Sequence, residues 1–582
     1  MTKEDTSVIR KLAPYMSKYK LYAILCPLAV IGEVMLEIRV PFLMAKIVDV
    51  GIPSHDIQYV IRTGGMMLLM ALFALLFGVL SSKFAAKAAM GFGSELRRGL
   101  FEKIQDFSFS NIDKFSTASL VTRITTDVNN AQNAFMMTIR ILVRAPLMLV
   151  SATIMAFTIN ASLVTVFLVA VPILAVALLL IGAAAFPPFN AMLKKYDKMN
   201  GSVQENLIAI RVVKAFVRSV YEKAKFKAAN DDLMQASIKA ERIIICNVPF
   251  MQLTMYACII SILWFGGNMI IGGSMMTGEL ISFISYVTQI LMALMMISMV
   301  FINIVLSRAS IGRITEVLDE PIDITDHDAA EGAEVENGSI DFQHVFFKYN
   351  RESDNDILED VNLHIEPGET VGIIGGTGSA KTTLVQLIPR LYDVTSGQVL
   401  VGGRDVRDYR LETLRNSVSM VLQKNVLFSG TIKENLKWGN AHATDDEIVA
   451  ACEAAQAHGF ISSFPKGYDT DLGQGGVNLS GGQKQRLCIA RALLKRPKII
   501  ILDDSTSAVD TATDAKIRQA FRDNLRETTT LIIAQRITSV CDSDKIIVLN
   551  EGKVDAVGTH EELLETNEIY REVYRSQQKG VA

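Results

Sequence analysis

Residues 371–388 read VGIIGGTGSAKTTLVQLI. An apolar strand runs into a glycine-rich loop, and a helical pattern follows. The stretch fits G-x-x-x-x-G-K-[ST] except that Ala380 stands in the place of the last glycine. In such a loop the backbone N–H groups and the positive end of the helix behind them form a cradle for phosphate oxygens. Gly375, Gly376, Thr377, Gly378, Ser379, Ala380 and Thr383 make up the candidate cradle. Lys381 brings a point charge to the terminal phosphates, and Thr382 a hydroxyl for Mg²⁺. Alanine at 380 is penalised if the loop needs a positive φ there.

Further along, residues 499–510 read IIILDDSTSAVD. Four apolar residues end in two adjacent carboxylates, Asp503 and Asp504. A strand with an acidic tip, following a phosphate loop, suits Mg²⁺ at Asp503 and an attacking water at Asp504. Glutamate usually fills the second place. Aspartate is one methylene shorter, so its oxygens retreat by roughly 1 Å, and a misplacement of about 1 Å can cost ~10²-fold in rate.

Between these stretches lies NLSGGQKQRLCIARALL, residues 478–494. Ser480, Gly481, Gly482 and Gln483 open a helix, and two glycines at a helix start again point to backbone donors for phosphate. The first loop already holds one phosphate chain. A second such helix therefore implies a second polypeptide facing the first.

The half of the chain before residue 307 is of another kind. Apolar residues make up 50% of the 582, and mean hydropathy is +0.29. Nearly all the long apolar runs lie in that half, at 20–46, 63–82, 132–159, 161–186, 243–272 and 278–306. Runs of about 20 apolar residues match a ~30 Å hydrocarbon core. Connections rich in Lys and Arg alternate with connections nearly devoid of them, which places both termini on the cytoplasmic side. The charged first twenty residues are unlike a cleaved signal peptide. The long basic connections have a helical, amphipathic period, and their tips, near SNIDKFSTASL and ENLIAIRVVKAF, are apolar enough to dock on another domain. Glu33 and Glu37 lie one turn apart inside the first run; they suit a contact for cationic substrates, but pairing with Arg39 or a place at the headgroups is the expectation. Pro187 and Pro188 are expected to break or kink the fourth run. The sixth run, with Met292, Met295, Met296 and Met299, suits either varied ligands or lipid. The six cysteines are scattered, with no metal-binding spacing. A net charge of −3 excludes a strongly basic nucleic-acid binder.

LSGGQ ahead of IIILDD, GGTGSAKTT before both, and VLQKNVLFSGTIKENL with Gln423 between them resemble an ATP-binding cassette. Six spans ahead of one cassette resemble an ABC exporter half-transporter. The resemblance implies a multidomain chain: an all-α transmembrane domain of the type I (type IV) exporter fold over 1–320, a linker at 321–337, and an α/β nucleotide-binding domain over 338–582. It further implies ATP and Mg²⁺ as ligands, in a head-to-tail dimer where ATP lies between one phosphate loop and the other chain's SGGQ. By position, Tyr349 stacks on adenine, Gln423 senses the γ-phosphate, contacts Mg²⁺ and couples to the membrane domain, Asp503 and Thr382 hold Mg²⁺, and Asp510 crosses the dimer interface.

The chain departs from that pattern at related places. Asp504 replaces the usual catalytic glutamate. Gln535, in LIIAQRITS, replaces the usual histidine, and Gln474 replaces a common acidic residue. Both Asp504 and Gln535 face the nucleotide on this chain's own loop, whereas LSGGQ is intact and serves the opposite chain. The expectation is a heterodimeric exporter of drugs or other amphipathic molecules in a bacterial plasma membrane, with slow hydrolysis here and a partner half-transporter that carries Glu and His. The alternatives are a homodimeric lipid or drug flippase and a nucleotide-gated channel or regulatory subunit.

Overall fold

The computed structural model describes residues 10–326, 330, 332–350, 355–504 and 509–579. The chain divides into two compact units. One comprises the residues up to Gln105 together with Thr117–Glu320; the other comprises Asp106–Ser116 and the chain from Pro321 onward.

The first unit is helical. Among the described residues six segments are long and apolar enough to cross a membrane: Arg10–Gly51, Ile57–Gln105, Thr117–Ile159, Ala161–Ile208, Ser219–Ile271 and Thr277–Phe301. The second contains a helix of 49 residues, about 70 Å at 1.5 Å per residue, so it extends well past a hydrocarbon core. Leu68, Leu69, Leu72, Phe73, Leu75 and Leu76 on that helix are all exposed, as lipid-facing side chains should be. The interior is filled by Cys26, Val30, Val34, Ala152, Tyr286 and Ile290. The buried Tyr286 hydroxyl donates to the carbonyl of Ile38 at 2.8 Å.

Two expectations for this unit need correction. Pro187 and Pro188 do not break the fourth segment, which is one helix from Ala161 to Ile208. Membrane helices tolerate proline because local adjustments and neighbouring groups satisfy the freed carbonyls. Glu33 and Glu37 do not pair with Arg39, which is exposed. Their partner is Arg144 on the third segment, which bonds Glu33 with one guanidinium nitrogen and Glu37 Oε2 with the other at 2.8 Å. Arg39 is only two residues beyond Glu37, so it points away from that face of the helix. Ser81 of the second segment donates to Glu33 at 3.3 Å, and the cluster ties three segments together.

The second unit is built on a six-stranded sheet in the order Lys553–Gly558, Lys545–Asn550, Thr370–Gly375, Thr529–Ile533, Ile499–Asp503, Val418–Val421. All neighbours are parallel except the edge strand Lys553–Gly558. The central strands IIILD and TTLII are buried at every position, as a parallel sheet covered on both faces requires. A four-stranded antiparallel sheet, including Ile340–Phe347 and Leu358–Ile365, packs on one side, its Phe342 and Val361 sharing a core with Val371 and Ile373 of the parallel sheet.

The helix Phe109–Lys114 belongs to this unit. Its start is capped by Ser108 and Asn111. Asn111 donates to the Pro321 carbonyl at 2.9 Å, and Ser108 and Ser110 both bond Asp323. The Tyr392 hydroxyl donates to Asp113 Oδ2 at 2.6 Å, with the Phe109 ring edge-on to Tyr392. The other tip, the helix Ile210–Ala215, is open to its surroundings: Ile208, Val212, Phe216, Val217 and Val220 are exposed. All six cysteines are free, and Cys26, Cys258, Cys452 and Cys488 are buried.

Candidate functional site

The parallel sheet sets the position of the site. The phosphate loop follows Thr370–Gly375, Asp503 ends Ile499–Asp503, and Gln535 and Gln423 lie just past Thr529–Ile533 and Val418–Val421. All four groups thus sit at the carboxyl ends of parallel strands, where open α/β sheets place their ligands.

The loop is tight. A Cβ on Gly375 would lie 2.3 Å from the Leu549 carbonyl oxygen, so only glycine fits there. Ala380 has φ 68 and ψ 22, in the left-handed region, directly ahead of the helix Lys381–Gln386. The position needs a positive φ, and alanine adopts it under strain. Lys381 Nζ donates to the carbonyls of Gly375 at 2.9 Å and Gly376 at 2.7 Å, and to Ser379 Oγ at 3.2 Å. Burial holds the Lys381 ammonium below the usual lysine range, against the opposing pull of Asp503 and Asp504. It is a partly desolvated cation ringed by backbone.

Thr382 Oγ1 donates to Asp503 Oδ1 at 3.1 Å. Asp503 is 2% exposed, and burial pushes its carboxyl above the usual range while the Thr382 bond pulls it down. A hydroxyl and a carboxylate oxygen side by side next to a phosphate cradle fit Mg²⁺, which takes one or two protein oxygens and completes its shell with phosphate and water. When bound with ATP, Mg²⁺ supplies charge neutralisation of the terminal phosphates.

Tyr349 is half exposed. Its hydroxyl bonds Thr383 Oγ1 at 2.9 Å and its ring is edge-on to Tyr392, which sets it beside the phosphate-loop helix. Asp504 has φ 48 and is held through its backbone: its N–H donates to the Ile533 carbonyl at 3.0 Å, and its carbonyl accepts from Gln485 Nε2 at 3.2 Å. Gln535 Nε2 donates to Asp504 Oδ2 at 3.0 Å. Asp504 and Gln535 are therefore in direct contact. Gln423 is exposed, and its side chain makes no hydrogen bond among the described residues.

Ser480 caps the helix Gly481–Leu494 in a reciprocal pair with Gln483: Gln483 N donates to Ser480 Oγ, and Ser480 N donates to Gln483 Oε1 at 2.9 Å. Among the described residues no hydrogen bond joins Ser480, Gly481, Gly482 or Gln483 to this chain's own phosphate loop. Asp510 caps the helix Thr511–Asn524 by accepting from Thr513 N at 2.9 Å, a bond that holds its carboxyl below the usual range. Two groups escaped the sequence reading. Gln485 is 1% exposed and supports Asp504 from the SGGQ helix. Gln577, near the C-terminal end, bonds the loop of Gln535. Neither belongs to a recognisable motif; the only signal for Gln485 was its place two residues past SGGQ.

Comparison with known proteins places this site in its family. The model of the ABC transporter transmembrane region matches residues 23–294, and that of the ABC transporter matches 358–507. The uncharacterised ABC transporter ATP-binding protein YfiB of Bacillus subtilis (strain 168) is 40% identical over 98% of each chain. The chain belongs to the ABC transporter family. An ATP-dependent lipid A-core flippase of Syntrophus aciditrophicus (strain SB) is 33% identical, over 84% of this chain and 80% of its own. The solved structure of a bacterial Atm1-family ABC exporter with ATP bound is similar with a TM-score of 0.83 and 26% identity, over 96% of this chain and 99% of that one. The fold is thus that of an ABC exporter, a multi-pass membrane protein of the kind that couples ATP to transport.

Proposed function

We propose that this chain is one subunit of a heterodimeric exporter. It retains ATP on its own phosphate loop, hydrolyses it slowly, and lends Ser480, Gly481, Gly482 and Gln483 to a partner's faster site. The observation that carries this reading is the bond from Gln535 to Asp504. The carboxylate in the water-activating position is short by one methylene, and its neighbour is a neutral amide. An amide hydrogen-bonds, but it brings neither positive charge nor a titratable proton to the transition state. Losing one good electrostatic partner costs about 10²–10³-fold in rate. The two losses need not multiply, since both groups act on one water. The binding groups Lys381, Thr382, Asp503 and Tyr349 remain, so affinity for ATP is kept.

Two further observations support a partner. Ser480 and Gln483 bond each other, and among the described residues the turn makes no hydrogen bond to this chain's own phosphate loop. The exposed apolar tip around Phe216, 74% exposed, calls for a cassette to cover it. The cargo we infer is an amphipathic molecule, a drug or a lipid, entering from the membrane; the named activity of the flippase relative supports the lipid side of that class.

The test is the mass of the complex purified from its own membrane. Two copies of this 64.0 kDa chain would sink the two-chain reading. One copy with a different half-transporter, carrying Glu and His at the matching places, supports it.

A further inference from the structure

The loop that carries Gln535 is held by the last helix of the chain. Gln577 lies near the end of the helix Glu568–Lys579. Its amide spans two residues of the loop: Nε2 donates to the Gln535 carbonyl at 2.7 Å, and Oε1 accepts from the Ile537 N–H at 2.9 Å. One side chain thereby pairs with the backbone as a neighbouring strand would. An amide is well suited to this, having a donor and an acceptor side by side.

The helix is firmly seated, so the clamp has something to pull against. Tyr570 is fully buried, and its hydroxyl bonds His560 Nδ1 at 2.7 Å. Asn567 accepts from Tyr570 N at 2.8 Å and donates to Asp555 at 2.6 Å, tying the helix start to the edge strand. Ile569, Val573 and Tyr574 pack on the core that includes Ile537 and Val540. From this base, contact runs through Gln577 to the backbone of residues 535–537, and through the Gln535 side chain to Asp504.

We propose that Gln577 is a positioning residue for Gln535: the C-terminal helix fixes the loop so that the Gln535 amide reaches the Asp504 carboxylate. Gln577 does not touch nucleotide; it acts through the loop. The proposal rests on the reading that Gln535 and Asp504 face the terminal phosphate.

Two readouts on the full-length transporter, as it purifies, test it. The first is amide hydrogen exchange over residues 534–540 in Gln577→Ala and in Gln577→Met, which keeps length and packing. Exchange is expected to rise about tenfold or more at the Ile537 amide in both variants, while the strand Ile499–Asp503 stays unchanged, since a lost clamp opens the loop locally. Unchanged exchange overturns the clamp. Gln577→Glu keeps the acceptor for Ile537 N–H and loses the donor to Gln535, and should fall between.

The second readout is ATP turnover in the Asp504→Glu, Gln535→His background. There Gln577→Met should lower kcat by roughly 10-fold with KM for ATP unchanged, as expected for a misplacement near the reacting water. A raised KM with kcat unchanged, or no effect on either, overturns the positioning role. Failure of the slow-site reading appears differently, as brisk turnover by the unmodified chain, and the exchange measurement does not depend on it.

Discussion

Gln535 Nε2 lies 3.0 Å from Asp504 Oδ2 and donates to it. That bond joins the two residues on which the proposed slow hydrolysis rests. Replacing both together, Asp504→Glu and Gln535→His, is expected to raise ATP turnover at this site by about 10²-fold or more. Each single change should give much less than the pair, because the two groups share one water. Steady-state phosphate release by the purified chain checks this.

Ala380, at φ 68, holds a left-handed conformation at the mouth of the phosphate cradle. Ala380→Gly removes the Cβ penalty of roughly 1 kcal/mol. The expected result is a slightly raised melting temperature with ATP affinity unchanged, since the same backbone conformation carries the penalty before and after nucleotide binds; thermal unfolding and calorimetry with a non-hydrolysable analogue check it. Weaker binding would mean that the loop takes another path when loaded.

Arg144 serves both Glu33 and Glu37 inside the membrane unit. Arg144→Met leaves the buried Glu33 with only the weak Ser81 bond and the half-exposed Glu37 without its guanidinium, and should destabilise the transporter by up to about 3 kcal/mol. Adding Glu33→Gln and Glu37→Gln should restore much of the loss. Thermal unfolding in detergent of the single and triple variants decides it.

Tyr392 anchors the helix Phe109–Lys114 through Asp113. Burial and the Asp113 carboxylate together push the Tyr392 hydroxyl well above the usual tyrosine range, so it stays a donor throughout the working pH range. A hydrogen bond to a charged acceptor contributes about 1.5–3 kcal/mol. Tyr392→Phe should loosen the residues 106–116 and speed tryptic cleavage after Lys114, with ATP affinity unchanged.

His364 is raised above the ordinary histidine range by hydrogen bonds to Asp341 and Glu366. Its folded pKa exceeds its unfolded one, so the stabilisation is fully present below the unfolded value and is lost as pH rises through the folded value. His364→Gln should lower the melting temperature at pH 5.5 and leave it unchanged at pH 9. The side chain is largely exposed, so the shift should be small.

What could be read from the residues was what is local in the chain. Lys381 and Thr382 sit in a contiguous motif, Asp503 ends an apolar run, and the six spans are continuous in composition. What could not be read joins distant places. Nothing near Glu33 in the chain names Arg144 as its partner, since the contact crosses from the first span to the third. Gln577 is an ordinary polar residue on an amphipathic helix, and its role exists only because that helix is seated against the loop of Gln535. Pro187 and Pro188 leave the helix Ala161–Ile208 unbroken, because its surroundings rather than its local sequence decide whether the freed carbonyls are satisfied. Ala380 lay between: the sequence raised the question of a positive φ, and only the backbone answered it.

The most direct test of the central claim is ATP turnover by this chain purified alone, measured beside its Asp504→Glu, Gln535→His variant under the same conditions. The account predicts tight ATP binding by both and slow hydrolysis by the unmodified chain, with the variant faster by about 10²-fold. Equal, brisk hydrolysis by the two would contradict it.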